Sequence, residues 1–130
     1  MFALNRHSPK AIVQRYVRCL NARDLGGLSS LIHPHCQLID SFGGRIEGHD
    51  AIVAATERFF ALEPHFHLTV DKLVEHEGDI LLRGRTTATR PEFQAEAMWR
   101  ACVEDRLVAC WQSFGPSPSA RLADVLGGRD

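Results

Sequence analysis

Leu38-Ile39-Asp40-Ser41-Phe42-Gly43-Gly44-Arg45-Ile46-Glu47-Gly48 runs from an apolar pair into a carboxylate, then through a double-glycine turn into a short second strand. Asp40 is the only acid in a strand that ends towards the inside of the fold. Two helical patterns precede this stretch, one follows it, and everything after Pro64 reads as strand. Helices first and a run of strands second is the signature of an α+β domain. Asp40 therefore sits where helices and sheet meet, at the mouth of a small apolar cavity, as a proton acceptor. The bland alternative makes it a cap of the Gly43-Gly44 turn, an Asx-type role.

The upstream helices carry their own signals. Ser8-Pro9 supplies an N-cap and a first-turn proline. Ile12, Val13, Tyr16, Val17 and Leu20 then recur at helical spacing. Tyr16 lies on that apolar face, and a buried phenol needs a hydrogen-bond partner. Asp24 caps a second, short helix with apolar positions Leu25, Leu28, Leu31 and Ile32. Gly26-Gly27 weakens it by about 1 kcal/mol per glycine, and Pro34 stops it. The first strand is expected over 36–40. A third helix over 49–62 buries Ile52, Ala55, Phe59 and Leu62.

Strands are expected over 65–76, 80–88, 93–103 and 106–114. Turns lie at Gly78-Asp79 and at 89–92, where Pro91 is barred from a ladder interior. If Glu104-Asp105 is a two-residue loop, Ala95 faces Phe114, Ala97 faces Gln112, Trp99 faces Cys110 and Ala101 faces Val108 on one side of the sheet. Small residues beside aromatics suit a cavity wall. The other side pairs Met98 with Trp111 amid charges, which suggests a subunit interface. Ordinary packing against helices is the alternative for both faces, and it weighs most on the first, whose alanines could simply admit a helix. The reading is one domain over 1–130, with a core of about 10–115 and a tail, 116–130, carrying a weak amphipathic piece.

Composition excludes several classes. The chain has 130 residues, 45% apolar, with a net charge of -1. Its scattered Lys and Arg give no footprint for nucleic acid. No basic amphipathic run marks a membrane surface, and no segment is long enough to span a bilayer. The N-terminus lacks the long apolar run of a signal peptide. Cys19, Cys36, Cys102 and Cys110 lack close spacing and read as free thiols in a reducing cytoplasm. His33-Pro34-His35-Cys36 and His65-Phe66-His67 are candidate metal clusters, but neither has a recognised ligand spacing, so no metal is expected. No Gly-x-Ser-x-Gly elbow or phosphate-binding loop is present.

The order of elements resembles the nuclear transport factor 2-like superfamily, and within it ketosteroid isomerase and the SnoaL-like cyclases. The resemblance rests on Ala11-Ile-Val-Gln-Arg-Tyr-Val-Arg-Cys-Leu-Asn-Ala-Arg-Asp-Leu, on Leu38-Ile-Asp-Ser-Phe-Gly, on Met98-Trp-Arg and on Ser113-Phe-Gly. It implies a cone: three N-terminal helices on a curved, mostly antiparallel sheet enclosing a pocket. It matches Asp40 to the family's general base and Tyr16 to its oxyanion-hole tyrosine. In that isomerase an Asp base works with a Tyr and a protonated Asp that donate hydrogen bonds to the enolate. The second donor's position falls at Ala97, which has no polar group; Gln112 is the expected substitute. Trp99, Phe114 and Ala97 complete the pocket wall. The implied chemistry is cofactor-independent proton transfer alpha to a carbonyl of a hydrophobic small molecule, in a homodimer. A non-catalytic ligand-binding or dimerisation module is the rival. An epoxide-hydrolase reading needs a second inward acid, for which Asp71 is the candidate.

Overall fold

The computed structural model describes residues 7–114. The expected end of the core and the amphipathic piece at 120–126 lie outside the described residues. Helix α1 is Pro9–Ala22, capped by Ser8, whose side chain accepts from Ala11 N at 3.1 Å. Ile12, Val13, Tyr16 and Val17 are its buried stripe. Each apolar chain so buried contributes roughly 1.5–3 kcal/mol relative to exposure. The helix ends at Arg23, held in the left-handed region at φ 57°. Helix α2, Leu25–Ser29, starts at Asp24, whose carboxylate accepts from Gly27 N at 2.9 Å. Helix α3 is His49–Leu62.

Six strands form one mixed sheet: β1 Ile32–Ile39, β2 Arg45–Glu47, β3 His67–His76, β4 Asp79–Thr87, β5 Ala95–Glu104 and β6 Leu107–Phe114. Their order is β2-β1-β6-β5-β4-β3. Only β1 and β6 run parallel. The helices pack on the sheet and enclose the main core between α1, α3 and the strands.

Four local expectations are corrected. Strand β1 begins at Ile32 and contains Pro34. The β1–β6 register shifts between Ile32 and Gln37, so the proline falls where no ladder needs its missing N–H. Leu62 is exposed, and Thr56 takes its place on the buried face of α3. The β3–β4 hairpin turns on Glu77-Gly78, both at positive φ. The β5–β6 hairpin turns on Asp105-Arg106 (φ 54° and 64°), with Glu104 opposite Leu107.

That last hairpin also contains a bulge between Cys102 and Val103. The extra residue reverses side-chain parity along the rest of β6, because strand side chains alternate with period two. Ala101 therefore faces Trp111, Trp99 faces Ser113 and Arg100 faces Gln112. A second bulge, in β3 at Val70/Lys72, brings the Thr69 carbonyl against Gly84. A Cβ on Gly84 would lie 1.8 Å from Thr69 O, so only glycine fits there.

Half-buried polar side chains lock the end of α1 to the start of β3. The Asn21 amide donates to Leu68 O at 2.9 Å and accepts from Leu68 N at 2.8 Å. Arg23 donates to the carbonyls of Glu63 and Phe66. The fully buried Glu63 accepts from Thr89 N (2.8 Å) and Arg90 N (3.0 Å).

Candidate functional site

A cavity of about 450 Å³ opens between α1, α3 and the inner face of the sheet. Tyr16 enters from α1, and Ala55, Thr56 and Phe59 from α3. Strand β5 contributes Ala95, Ala97 and Trp99; β6 contributes Trp111, Ser113 and Phe114. The alanines on β5 leave the room that the aromatic side chains surround. The Tyr16 ring stacks, tilted, 4.9 Å from Trp111, which is 6.2 Å from Trp99. At the far end, Phe59 meets Phe66 edge-on at 4.8 Å and Phe93 at 5.5 Å. Aromatic pairs at these separations are favourable beyond the area they bury.

Few polar groups face this space. Thr56 and Thr86 are committed to the carbonyls of Ile52 and Phe93. Tyr16 is 4% exposed, yet its hydroxyl makes no hydrogen bond to any described residue. Burial, reinforced by the Cys36 thiol, raises the phenol well above its usual range. It is a neutral donor at physiological pH. The Ser113 hydroxyl also lines the cavity without a partner among the described residues.

Asp40 lies at the mouth, in contact with the same cavity, but it is exposed rather than desolvated. Its Oδ1 accepts from Phe42 N and Gly44 N, both at 2.8 Å. Its backbone N–H donates to Gly44 O, and its carbonyl accepts from Gly43 N. The bland role expected of it, capping the glycine turn, is thus what it performs structurally. Oδ2 accepts no hydrogen bond from a described residue.

The parity change on β6 redistributes the expected wall. Trp99, Ala97 and Phe114 line the cavity. Gln112 does not: it faces the opposite side, where its Oε1 accepts from Arg100 Nε at 3.3 Å. Trp111, expected on the outer face beside Met98, is buried in the cavity wall instead. Met98, at the strand end opposite Phe114, does not line the cavity. Ser113 and Trp111 are the site residues that sequence reasoning missed. Only the bulge at Cys102/Val103 would have revealed them.

Other constellations fall away from the cavity. Asp71 is exposed, and both of its oxygens accept from Arg85 Nη1, at 3.0 and 2.9 Å, so it supplies no inward acid. His33 accepts from His35 N and lies 3.4 Å from Asp105. Among the described residues, no group of three or more His, Cys, Asp or Glu is placed to hold a metal ion. No described helix is long and apolar enough to cross a membrane.

Ser29, His49 and Asp50 form a serine–histidine–aspartate contact set that the sequence did not flag. Ser29 Oγ is 3.0 Å from His49 Nε2, and His49 Nδ1 is 2.8 Å from Asp50 Oδ1. The ring's Nε2 is also 2.9 Å from the Ser29 carbonyl. Both nitrogens face acceptors, and the Asp50 hydrogen bond with the Ser29 carbonyl raises the imidazole above its usual value. A backbone carbonyl only accepts, so an Nε2 that donates to Ser29 O has no lone pair left for the Ser29 hydroxyl proton. The set fastens the end of α2 to the start of α3 rather than activating a nucleophile.

The model of the SnoaL-like domain matches residues 13–111. No protein of curated function matches the chain. Among solved structures, a proposed polyketide cyclase from Sinorhizobium meliloti superposes with a TM-score of 0.73 at 17% identity, covering 85% of this chain and 99% of the other. A proposed ketosteroid isomerase from Kribbella flavida gives 0.72 at 19% identity, with coverages of 83% and 77%. TerC, co-crystallised with polyporic acid, gives 0.71 at 14% identity, with coverages of 87% and 95%. At these identities the likeness is one of fold.

Proposed function

The chain belongs to the SnoaL-like domain family, and from that premise we propose that its cavity binds an apolar, ring-bearing small molecule through an oxygen that accepts a hydrogen bond from Tyr16. One observation carries the reading: a buried, neutral phenol without a partner among the described residues faces an aromatic-walled space of about 450 Å³. Its hydroxyl is not among the sealed polar atoms left unpaired in the described residues; it opens into the cavity, where a ligand oxygen is the natural complement. The volume lies in the range of pockets that enclose small organic ligands. Ser113 is the second donor, in the role expected of Gln112. The likeness to TerC, which was crystallised with polyporic acid, agrees with a small-molecule role.

Proton transfer of the isomerase or cyclase type is the second reading, favoured by the uncommitted Oδ2 of Asp40 at the cavity mouth. There it would take a proton alpha to a carbonyl while Tyr16 holds the oxygen on which charge develops. This step needs no cofactor. Binding ranks first because Asp40 is exposed and one of its carboxylate oxygens is committed to two backbone N–H groups of the glycine turn. A homodimer would use the outer sheet face around Met98, now without Trp111. The four free thiols fit a reducing cytoplasm.

The test uses a polycyclic phenol as an enolate mimic and an unsaturated ketosteroid as a proton-transfer substrate. Tyr16→Phe should weaken phenol binding about tenfold, the worth of one net hydrogen bond of about 1.4 kcal/mol. Asp40→Asn should leave phenol affinity within about twofold and abolish exchange of the ketone's alpha hydrogens with deuterium oxide. Equal affinity in wild type and Tyr16→Phe would sink the binding reading. Exchange that survives Asp40→Asn would remove Asp40 as the base.

A further inference from the structure

The outer face of the sheet carries a second cluster, unconnected to the cavity. Cys102 on β5 stands directly opposite Cys110 on β6. The Arg100 guanidinium bridges them, with Nη1 3.0 Å from Cys102 Sγ and Nη2 3.4 Å from Cys110 Sγ. Cys102 Sγ donates to Asp79 Oδ1 at 3.2 Å, and Asp79 Oδ2 accepts from Arg100 Nη1 at 3.1 Å. Two thiols, a carboxylate and a guanidinium thus meet at one rung of the hairpin, next to the bulge.

We propose that Cys102 and Cys110 are a redox-modification site, closed to a reversible cross-strand disulfide by a low-molecular-weight disulfide. Geometry permits it. Directly opposed residues of an antiparallel pair have Cα atoms about 4.5 or 5.5 Å apart. A disulfide spans Cα separations of about 4.4–6.8 Å. Both sulfurs already touch one guanidinium, which must swing from between them for the bond to form; Asp79 and Gln112 remain as its partners.

The steps balance. The Cys102 thiol passes its proton to Asp79, and the sulfur, beside the Arg100 cation, attacks one sulfur of the incoming disulfide. A Cys102 mixed disulfide forms, the incoming S–S bond breaks, and one small thiol leaves with the proton. Cys110 then attacks Cys102 Sγ. The Cys102–Cys110 bond forms, and the second small thiol leaves with the Cys110 proton. Two protein thiols are oxidised and one disulfide is reduced to two thiols.

Selectivity follows from position. Cys36 lies on β1, where its neighbour Gln37 and not Cys36 itself stands opposite Cys110. Cys19 lies on α1, far along the chain from the hairpin, with Asp24 as its side-chain contact. Burial and the Asp79 hydrogen bond hold Cys102 itself up at about 12. Cys102 therefore reacts slowly near neutrality, at a rate that rises with its thiolate fraction. The next rung, Ala101 opposite Trp111, faces the cavity. The disulfide would thus pin the hairpin beside one of the two tryptophans of the cavity wall.

The experiment incubates the full-length protein with millimolar oxidised glutathione, then denatures, alkylates and maps the peptides. Two of the four cysteines should resist alkylation, joined as Cys102–Cys110, with full recovery after dithiothreitol. The initial rate should rise about tenfold per pH unit below the thiol's titration. Cys102→Ala and Cys110→Ala should each yield no intramolecular cross-link. The wild-type map is decisive without them, so a variant that folds poorly does not leave the question open. Alkylation of all four cysteines, or a cross-link to Cys36 or Cys19, would overturn the proposal.

Discussion

Glu63→Gln is the sharpest test of how the polar network holds the cavity's far wall. The carboxylate is 0% exposed. Its two oxygens accept separately from Thr89 N at 2.8 Å and Arg90 N at 3.0 Å. Arg90 Nε lies 3.7 Å from Oε2. Glutamine keeps the shape but offers one acceptor in place of two. One backbone N–H must then face the new amide nitrogen. The variant loses one hydrogen bond to a charged acceptor, worth about 1.5–3 kcal/mol, and leaves the new amide N–H₂ of a fully buried side chain facing a donor, at about 1–3 kcal/mol. The expected destabilisation is about 3–5 kcal/mol. With a urea slope of about 1.5 kcal/mol/M, the midpoint should fall by about 2–3 M. Thr89 and Arg90 lead into the 3-10 turn Pro91–Phe93, and Phe93 lines the cavity, so ligand affinity should fall as well. A loss below about 1 kcal/mol, measured in urea at neutral pH, would refute this account of Glu63.

Two further outcomes follow from the fold. Gly84→Ala drives a Cβ into the Thr69 carbonyl. It should cost about 3 kcal/mol by equilibrium unfolding; a neutral effect would mean that the β3 bulge is not fixed. For His49, the folded value lies above the unfolded one, so its contribution is complete below the usual imidazole value of 6.5 and fades as pH rises through the raised folded value. The urea-midpoint difference between wild type and His49→Gln should therefore shrink from roughly pH 5 to pH 8. A difference that grows with pH would contradict the clasp.

Much of the scaffold could be read from local chemistry. Ser8 and Asp24 cap the helices they were expected to cap, and the α1 stripe is the buried one. These signals lie within one turn of the backbone they control. The cavity's composition depended on something less local. Asp105-Arg106 makes a positive-φ turn without Gly or Asn to announce it. The adjacent bulge then exchanges which of Trp111 and Gln112 looks inward. No residue pattern marks that bulge; what favours it is the burial of a large indole against Tyr16. Asp40 shows the same limit at a loop. Strand alternation fixes a side chain's face only while the strand lasts, and β1 ends at Ile39.

The parallel pairing of β1 with β6 also governs how the protein must fold. The β1–β2 hairpin and the β3–β6 meander are each built from neighbouring segments. They join the sheet to one another through a single seam, in which Ile39 meets Gln112. Closing a loop of that length costs about 4 kcal/mol of chain entropy before the seam repays any of it. Formation of this seam is therefore the natural kinetic bottleneck. Until it forms, Trp111 lacks the strand on which it rests, and the two halves have exposed edges on which another chain could pair.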